Sequence, residues 1–284
     1  MDPADVGRAA ARAAADPNCT LVLVSVMHAN NEVGTVQPLA AIAAAARAGA
    51  ARAGGVGRGE VRVLVHTDAS QSCGKVPVDV DALGVDMLTV AGHKLYATKG
   101  VGALYVRGSG KPPAAPADGA AKTSKKKAGA FVPLAKLVHG ANHEADRRAG
   151  TENTVLAAGL GEACRIAKLE LDAGDEPRRL KKLRAALHAA IRAHTPDAIG
   201  LRVNGPAADY VGGGAWARLP NTLSLAFEGL RAPGLIAAVA GRVALSAGSA
   251  CHAGNVDSGA LKVSHVLRAM ARPNVRRRTL PELN

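Results

Sequence analysis

Short apolar runs alternating with helical stretches constrain this chain more than any other feature. Thr20–Met27 is a continuous apolar run, the mark of a buried strand. Pro38–Ala53 is alanine-rich, broken by Arg47 and Arg52, and reads as a helix that ends in the glycine-rich turn Gly54–Gly59. Val61–Thr67, Met87–Ala91 and Gly102–Val106 read as further strands, and Met1–Ala15 as a leading helix. Strands alternating with helices argue an α/β fold with a mostly parallel sheet. Asn153–Asp172 reads as a long helix. Glu176–His194 is a second, with Leu180, Leu183, Leu187 and Ile191 at three- and four-residue steps. Leu223–Phe227 reads as a strand of a smaller second unit. The expected division is a large domain over 1–172 and a smaller C-terminal α+β domain over 173–284. Gly108–Gly129 carries Pro, Ala, Gly and the run KTSKKK with no apolar period, and reads as a low-complexity surface insertion.

The chemistry is written at the strand ends. In VDMLTVAGHKLYATK (Val85–Lys99), an apolar run closes in Ala91-Gly92 and delivers His93 and Lys94 at once. Open α/β sheets bind ligands at the carboxyl ends of their strands. A lysine held there loses its proton more readily and can condense with a carbonyl. Pyridoxal phosphate is such a carbonyl, and its enzymes set an acid against the pyridine nitrogen. Asp68 ends the apolar run VRVLVHTDASQ in the same way. Gln71 could face the ring's phenolate oxygen, and His93 could contact the phosphate. Taken singly, Asp68 could cap a helix and Lys94 could be a solvated surface lysine. The pair on matched strand ends favours the site.

Cys251 sits in SAGSACHAG, where small neighbours leave the thiol accessible and His252 could raise its thiolate fraction. An inert buried cysteine is the competing reading. Cys19, Cys73 and Cys164 have apolar or mixed surroundings and read as structural.

Five ordered stretches carry a family resemblance. They are VSVMHANNEVGTVQPL (Val24–Leu39), HTDASQSCGKVPVDV (His66–Val80), DMLTVAGHKLYATKGVGALYVR (Asp86–Arg107), RRAGTEN (Arg147–Asn153), and LPNTLSLAF with SAGSACHAG (Leu219–Gly254). The chain resembles the cysteine desulfurases and selenocysteine lyases of the class V aminotransferase-like group. The resemblance implies a fold type I pyridoxal-phosphate (PLP) enzyme, with an incomplete, mostly parallel sheet. It implies that Lys94 holds the cofactor as an aldimine. Asp68 would face the pyridine nitrogen, Gln71 the ring oxygen, and Asn31 and His93 the cofactor. Thr151 would reach the cofactor phosphate of a partner subunit, hence a homodimer. Cys251 would take sulfur from the substrate as a persulfide. The implied substrate is L-cysteine or L-selenocysteine, the product L-alanine, and a sulfur-acceptor protein the onward partner.

Departures from the pattern stand beside the matches. The family's Gly-Thr-rich phosphate loop, its ring-stacking histidine and its carboxylate-binding arginine find no counterpart, so this chain is expected to be part of the full pattern. Ala91 replaces a common phosphate-binding hydroxyl, and Ala97-Thr98 replaces the usual Gly-Pro. The competing expectation is a truncated, inactive relative or a partial reading of a longer gene.

Composition excludes several other classes. No apolar run approaches the ~18 residues of a membrane span. Met1–Ala15 has neither a signal-peptide core nor the profile of a transit peptide. The 4 cysteines show no disulfide or zinc spacing, which suits a reducing compartment, cytoplasmic or organellar. The net charge of +13 is scattered and aromatics are 2% of residues, so nucleic acid is not an expected partner.

Overall fold

The structure is a computed structural model that describes residues 1–53, 61–108, 132, 134–207, 209–211, 215–249 and 264–271. The expected turn Gly54–Gly59 and most of the expected insertion Gly108–Gly129 lie outside the described residues.

The order is α1 (Pro3–Ala14), β1 (Leu21–Met27), α2 (Leu39–Ala53), β2 (Arg62–Asp68), β3 (Met87–Ala91) and β4 (Gly102–Val106). Then follow a single turn α3 (His143–Asp146), α4 (Thr154–Ala173), α5 (Asp175–His194), β5 (Leu201–Val203), β6 (Tyr210–Val211), β7 (Ala215–Trp216), β8 (Leu225–Phe227), α6 (Ala232–Val239) and α7 (His265–Ala271). The main sheet runs β1-β2-β3-β4. β1, β2 and β3 are mutually parallel, and β4 returns antiparallel as a hairpin partner of β3. The mostly parallel α/β sheet expected from the alternation is therefore what forms.

Local chemistry explains the helix ends. Asp2 caps α1 by accepting from the Ala4 N–H at 2.9 Å, with Pro3 in the first turn. Asn153 caps α4 by accepting from the Leu156 N–H at 3.0 Å. Gly174 ends α4 in the left-handed conformation (φ 70°) that lets α5 start at once.

One sheet face is covered by α2, which lays Leu39, Ile42 and Ala43 on Val26, Val65 and Leu88. α1 packs beside it, and Ala10 and Ala14 meet Ala46, Ala50 and Val22. Alanines and glycines line this contact, so the two helices approach closely. On the other face Leu64, Met87, Val106 and Val132 form a small cluster, while Leu21 and Leu23 of edge strand β1 are 49% and 57% exposed. On this face a polar line crosses three strands, from Ser25 Oγ to His66 Nδ1 (2.8 Å) and from His66 Nε2 to Thr89 Oγ1 (2.9 Å).

Asp86, in the turn before β3, ties the layers together. Its Oδ2 accepts from Arg47 of α2 at 2.9 Å and from the Val65 N–H of β2 at 2.8 Å. Arg107, just past β4, donates to the Val85 and Val80 carbonyls. The segment 215–220 packs back on the loops after β1. There Val36 N–H donates to Ala217 O at 2.9 Å and Leu219 N–H to Gly34 O at 2.8 Å.

α5 departs from the amphipathic expectation. Its apolar stripe is only partly covered, with Leu183 and Leu187 each 54% exposed. Exposed i,i+3 pairs, Arg178 with Asp175 and Arg179 with Glu176, supply part of its support instead. Among the described residues, no helix is long and apolar enough to cross a membrane.

Candidate active site

Three parallel strands in a row end at one edge of the sheet, and the expected site residues follow those ends. Met27 of β1 is in register with Asp68 of β2, which is in register with Thr89 of β3. Asn31 follows β1, Gln71 follows β2, and His93 and Lys94 form the 3-10 turn directly after β3. Asp68 thus ends one strand and Lys94 follows the end of the strand beside it.

The two asparagines after β1 divide their work. Asn30 Oδ1 accepts from the Glu32 and Val33 N–H groups, both at 2.9 Å, and so builds the turn. Asn31 is exposed. Asp68 Oδ1 accepts from the Ser70 N–H at 2.8 Å, which holds the carboxylate in one orientation at the sheet edge. Gln71 is half-buried, and its carbonyl accepts from Lys75 Nζ at 3.1 Å. His93 and Lys94 are exposed. Gly92 is required by close approach, because a Cβ there would lie 2.8 Å from the Val101 carbonyl oxygen. That glycine lets the chain turn sharply off β3 and carry Lys94 to the edge.

Sequence reading missed the hub beneath these loops. His28 is 3% exposed, and burial pushes its imidazole down to about 4. Its Nδ1 meets Ser72 Oγ at 2.9 Å, and its backbone N–H donates to the Asp68 backbone carbonyl at 2.9 Å. It locks the end of β1 to the β2 loop. No periodicity marks a single histidine as buried; only its place directly after a continuous apolar run hinted at it.

A cleft of about 400 Å³ opens beside this edge, between the turns after β2 and β3 and helices α4 and α5. Its walls include Lys75, Lys94, Tyr96, Glu170 and Arg179, but not Asp68. Lys94 therefore fronts both the strand-end edge and this cleft. Cys73 also lines it, and burial raises its thiol to about 11, in keeping with the structural role expected of it. Cys164, for which the same role was expected, is exposed on α4, since that side of the helix is not packed.

Thr151 and Cys251 complete the expected set. Thr151 is exposed in the turn ahead of α4. Cys251 lies outside the described residues. The described residues flanking it converge, however. Ser264 donates to the Glu32 carboxylate, and a Cβ on Gly248 would sit 3.7 Å from Glu32 Oε2. Glu32 adjoins Asn31, so Gly248 and Ser264 both lie beside the β1 loop.

Known proteins resemble the chain in sequence and in fold. It is 37% identical over 251 residues to a cysteine desulfurase IscS of Neisseria meningitidis serogroup A, covering 88% of this chain and 49% of that protein. It is likewise 37% identical over 251 residues to a cysteine desulfurase IscS of Azotobacter vinelandii, with the same coverage. The chain spans about half the length of the curated relatives it matches. Among solved structures it is similar to a NifS-like protein (TM-score 0.57, 30% identity, 78% of this chain and 48% of that one). It is also similar to DndA from Streptomyces lividans (TM-score 0.56, 31% identity, 89% and 57%). The family model "Aminotransferase class-V" matches residues 9–272, nearly the whole sequence. With that match laid over a parallel sheet whose ends carry the motif residues, the chain belongs to the class-V aminotransferase family.

Proposed function

We propose that this chain supplies the lysine-bearing part of a PLP-dependent cysteine desulfurase or selenocysteine lyase. The observation that carries the reading is the single sheet edge at which Asn31, Asp68 and Lys94 lie at or just past the ends of consecutive parallel strands. The class-V family is PLP-dependent, and the donor set here fits that cofactor: an exposed primary amine for its aldehyde and an oriented carboxylate for its ring nitrogen. Bound there, the cofactor supplies an electron sink for the substrate's α-carbon.

In this reading Lys94 anchors the cofactor and moves the α-proton. Asp68 holds the proton on the ring nitrogen. Gln71, Asn31 and His93 orient the ring and phosphate. Cys251 attacks the substrate sulfur: the carbon–sulfur bond breaks, a sulfur–sulfur bond forms, and the carbon leaves as L-alanine. L-Cysteine and the enzyme thiol thereby become L-alanine and an enzyme persulfide, ready for an acceptor protein. The approach to Glu32, beside Asn31, of Gly248 and Ser264, which flank Cys251 in sequence, supports this role for Cys251. The exposure of Thr151 suits a residue that faces a partner subunit's cofactor in a homodimer. The division into 1–172 and 173–284 belongs to the same proposal.

Incubation with PLP, borohydride reduction and peptide mapping tests the assignment. The pyridoxyl label is expected on Lys94 and absent from Lys94→Ala. A label on Lys75 or Lys99 instead rejects it, and no label at all favours the inactive-relative reading. Cys251→Ala is expected to keep the Lys94 label and to abolish persulfide formation from L-cysteine, read by sulfur trapping. Persulfide at the wild-type level in that variant removes Cys251 from the mechanism.

A further inference from the structure

The turn after β2 and the turn after β3 are 19 residues apart in sequence, yet one side chain grips both. Lys75 Nζ donates to the Gln71 carbonyl at 3.1 Å and to the Lys94 carbonyl at 3.3 Å. Its own turn is closed by backbone bonds, Lys75 N–H to Ser72 O at 3.0 Å and Cys73 N–H to Ala69 O at 2.9 Å, so the ammonium springs from a fixed base. Gly74, at φ 74°, sets the direction in which the next residue leaves that turn. On the other side Leu95 N–H and Ala97 N–H both donate to Gly92 O, which gives the Lys94 turn a defined shape to be held. Hydrogen bonds from a charged donor are about twice as strong as neutral ones. The β2–β3 register stops at Thr89, five residues before Lys94. Beyond that point the ladder no longer joins the two turns, and the ammonium spans them.

We propose that Lys75 is a positioning residue that pins the Asp68–Gln71 turn to the Lys94 turn and so sets the spacing between the carboxylate and the reactive amine. The role in cofactor binding rests on the function proposed above; the bridge itself does not. Lys75 need not touch the cofactor. It acts through the two carbonyls, so its loss should loosen both turns together while the strands behind them stay closed. Burial lowers the affinity of Lys75 for its proton, in keeping with an ammonium partly withdrawn from water at the wall of the cleft.

Hydrogen exchange on the full chain separates a bridge from a bystander. In Lys75→Met, amides of 68–76 and of 92–97 are both expected to exchange about tenfold faster or more, the equivalent of one lost charge-assisted bond. Amides of β1, at 21–27, should be unchanged. Lys75→Arg, which can still donate to two carbonyls, should restore protection in both segments. Loosening of 68–76 alone, or of neither, overturns the proposal. If the methionine variant does not fold, amine acetylation of the wild-type chain decides. Corrected to equal free-amine fraction, Lys75 is expected to react about tenfold more slowly than exposed Lys99, and equal corrected rates overturn the bridge. Borohydride trapping adds the link to the cofactor: the Lys94 label should fall in Lys75→Met and return in Lys75→Arg. A wild-type chain that takes no label at Lys94 rejects the cofactor reading, while the exchange and acetylation results still decide whether Lys75 bridges the turns.

Discussion

Gly49→Ala is expected to destabilise the fold by about 2–3 kcal/mol, although alanine is the better helix former. Gly49 lies on α2 where α1 crosses it, and a Cβ there would sit 2.1 Å from the Gly7 carbonyl oxygen and 2.8 Å from its carbonyl carbon. Those are backbone atoms of a helix, and they cannot swing aside as a side-chain tip would. The helices must part by more than an ångström, which opens the contact of Ala10 and Ala14 with Ala46, Ala50 and Val22. On an exposed helix the same change would gain about 1 kcal/mol, so the sign itself is diagnostic. Gly7→Ala should cost less, because its Cβ would stand 3.0 Å from the Ala45 oxygen. Denaturant unfolding of both variants measures this. A Gly49→Ala protein as stable as wild type would mean that the two helices do not cross as described.

Acid should weaken the same molecule through His28. Burial lowers its folded pKa from 6.5 to about 4. The unfolded chain therefore binds more protons than the folded one between those values, and stability falls as pH drops through that window. The loss levels off below about 4. For a group shifted this far it amounts to about 3 kcal/mol. Because His28 joins the end of β1 to Asp68 and Ser72, the strand-end edge should open with it. Stability measured from pH 7 to pH 4 in wild type and in His28→Gln tests this. The glutamine variant should lose correspondingly less over that range. Identical pH profiles for the two proteins would show that the imidazole is not buried and neutral.

The strands themselves were legible because each writes a short apolar run, as in Met87–Ala91, although β1, expected to be a buried strand, is covered on one face only and leaves Leu21 and Leu23 exposed on the other. Local rules likewise reached the alanine-rich α2. The candidate site was legible to the same extent: Asp68 and Lys94 each end such a run, and chemistry alone suggested pairing an acid with an amine. Composition could not report how far α5 is covered, because its leucine spacing records a capacity for burial and not a partner. The exposure of Leu183 and Leu187 is a matter of what packs against them.

Sequence by itself determined the α/β class, the strand ends and the residue types delivered there, because periodicity and termination are properties of neighbours along the chain. Only the tertiary structure decided that β1, β2 and β3 lie side by side, that His28 is sealed under the Asp68 turn, and that Lys75 spans two turns. Each of these joins groups 19 to 44 residues apart. Such contacts form only after the sheet has closed the intervening loops and its register has set which backbone carbonyls face one another.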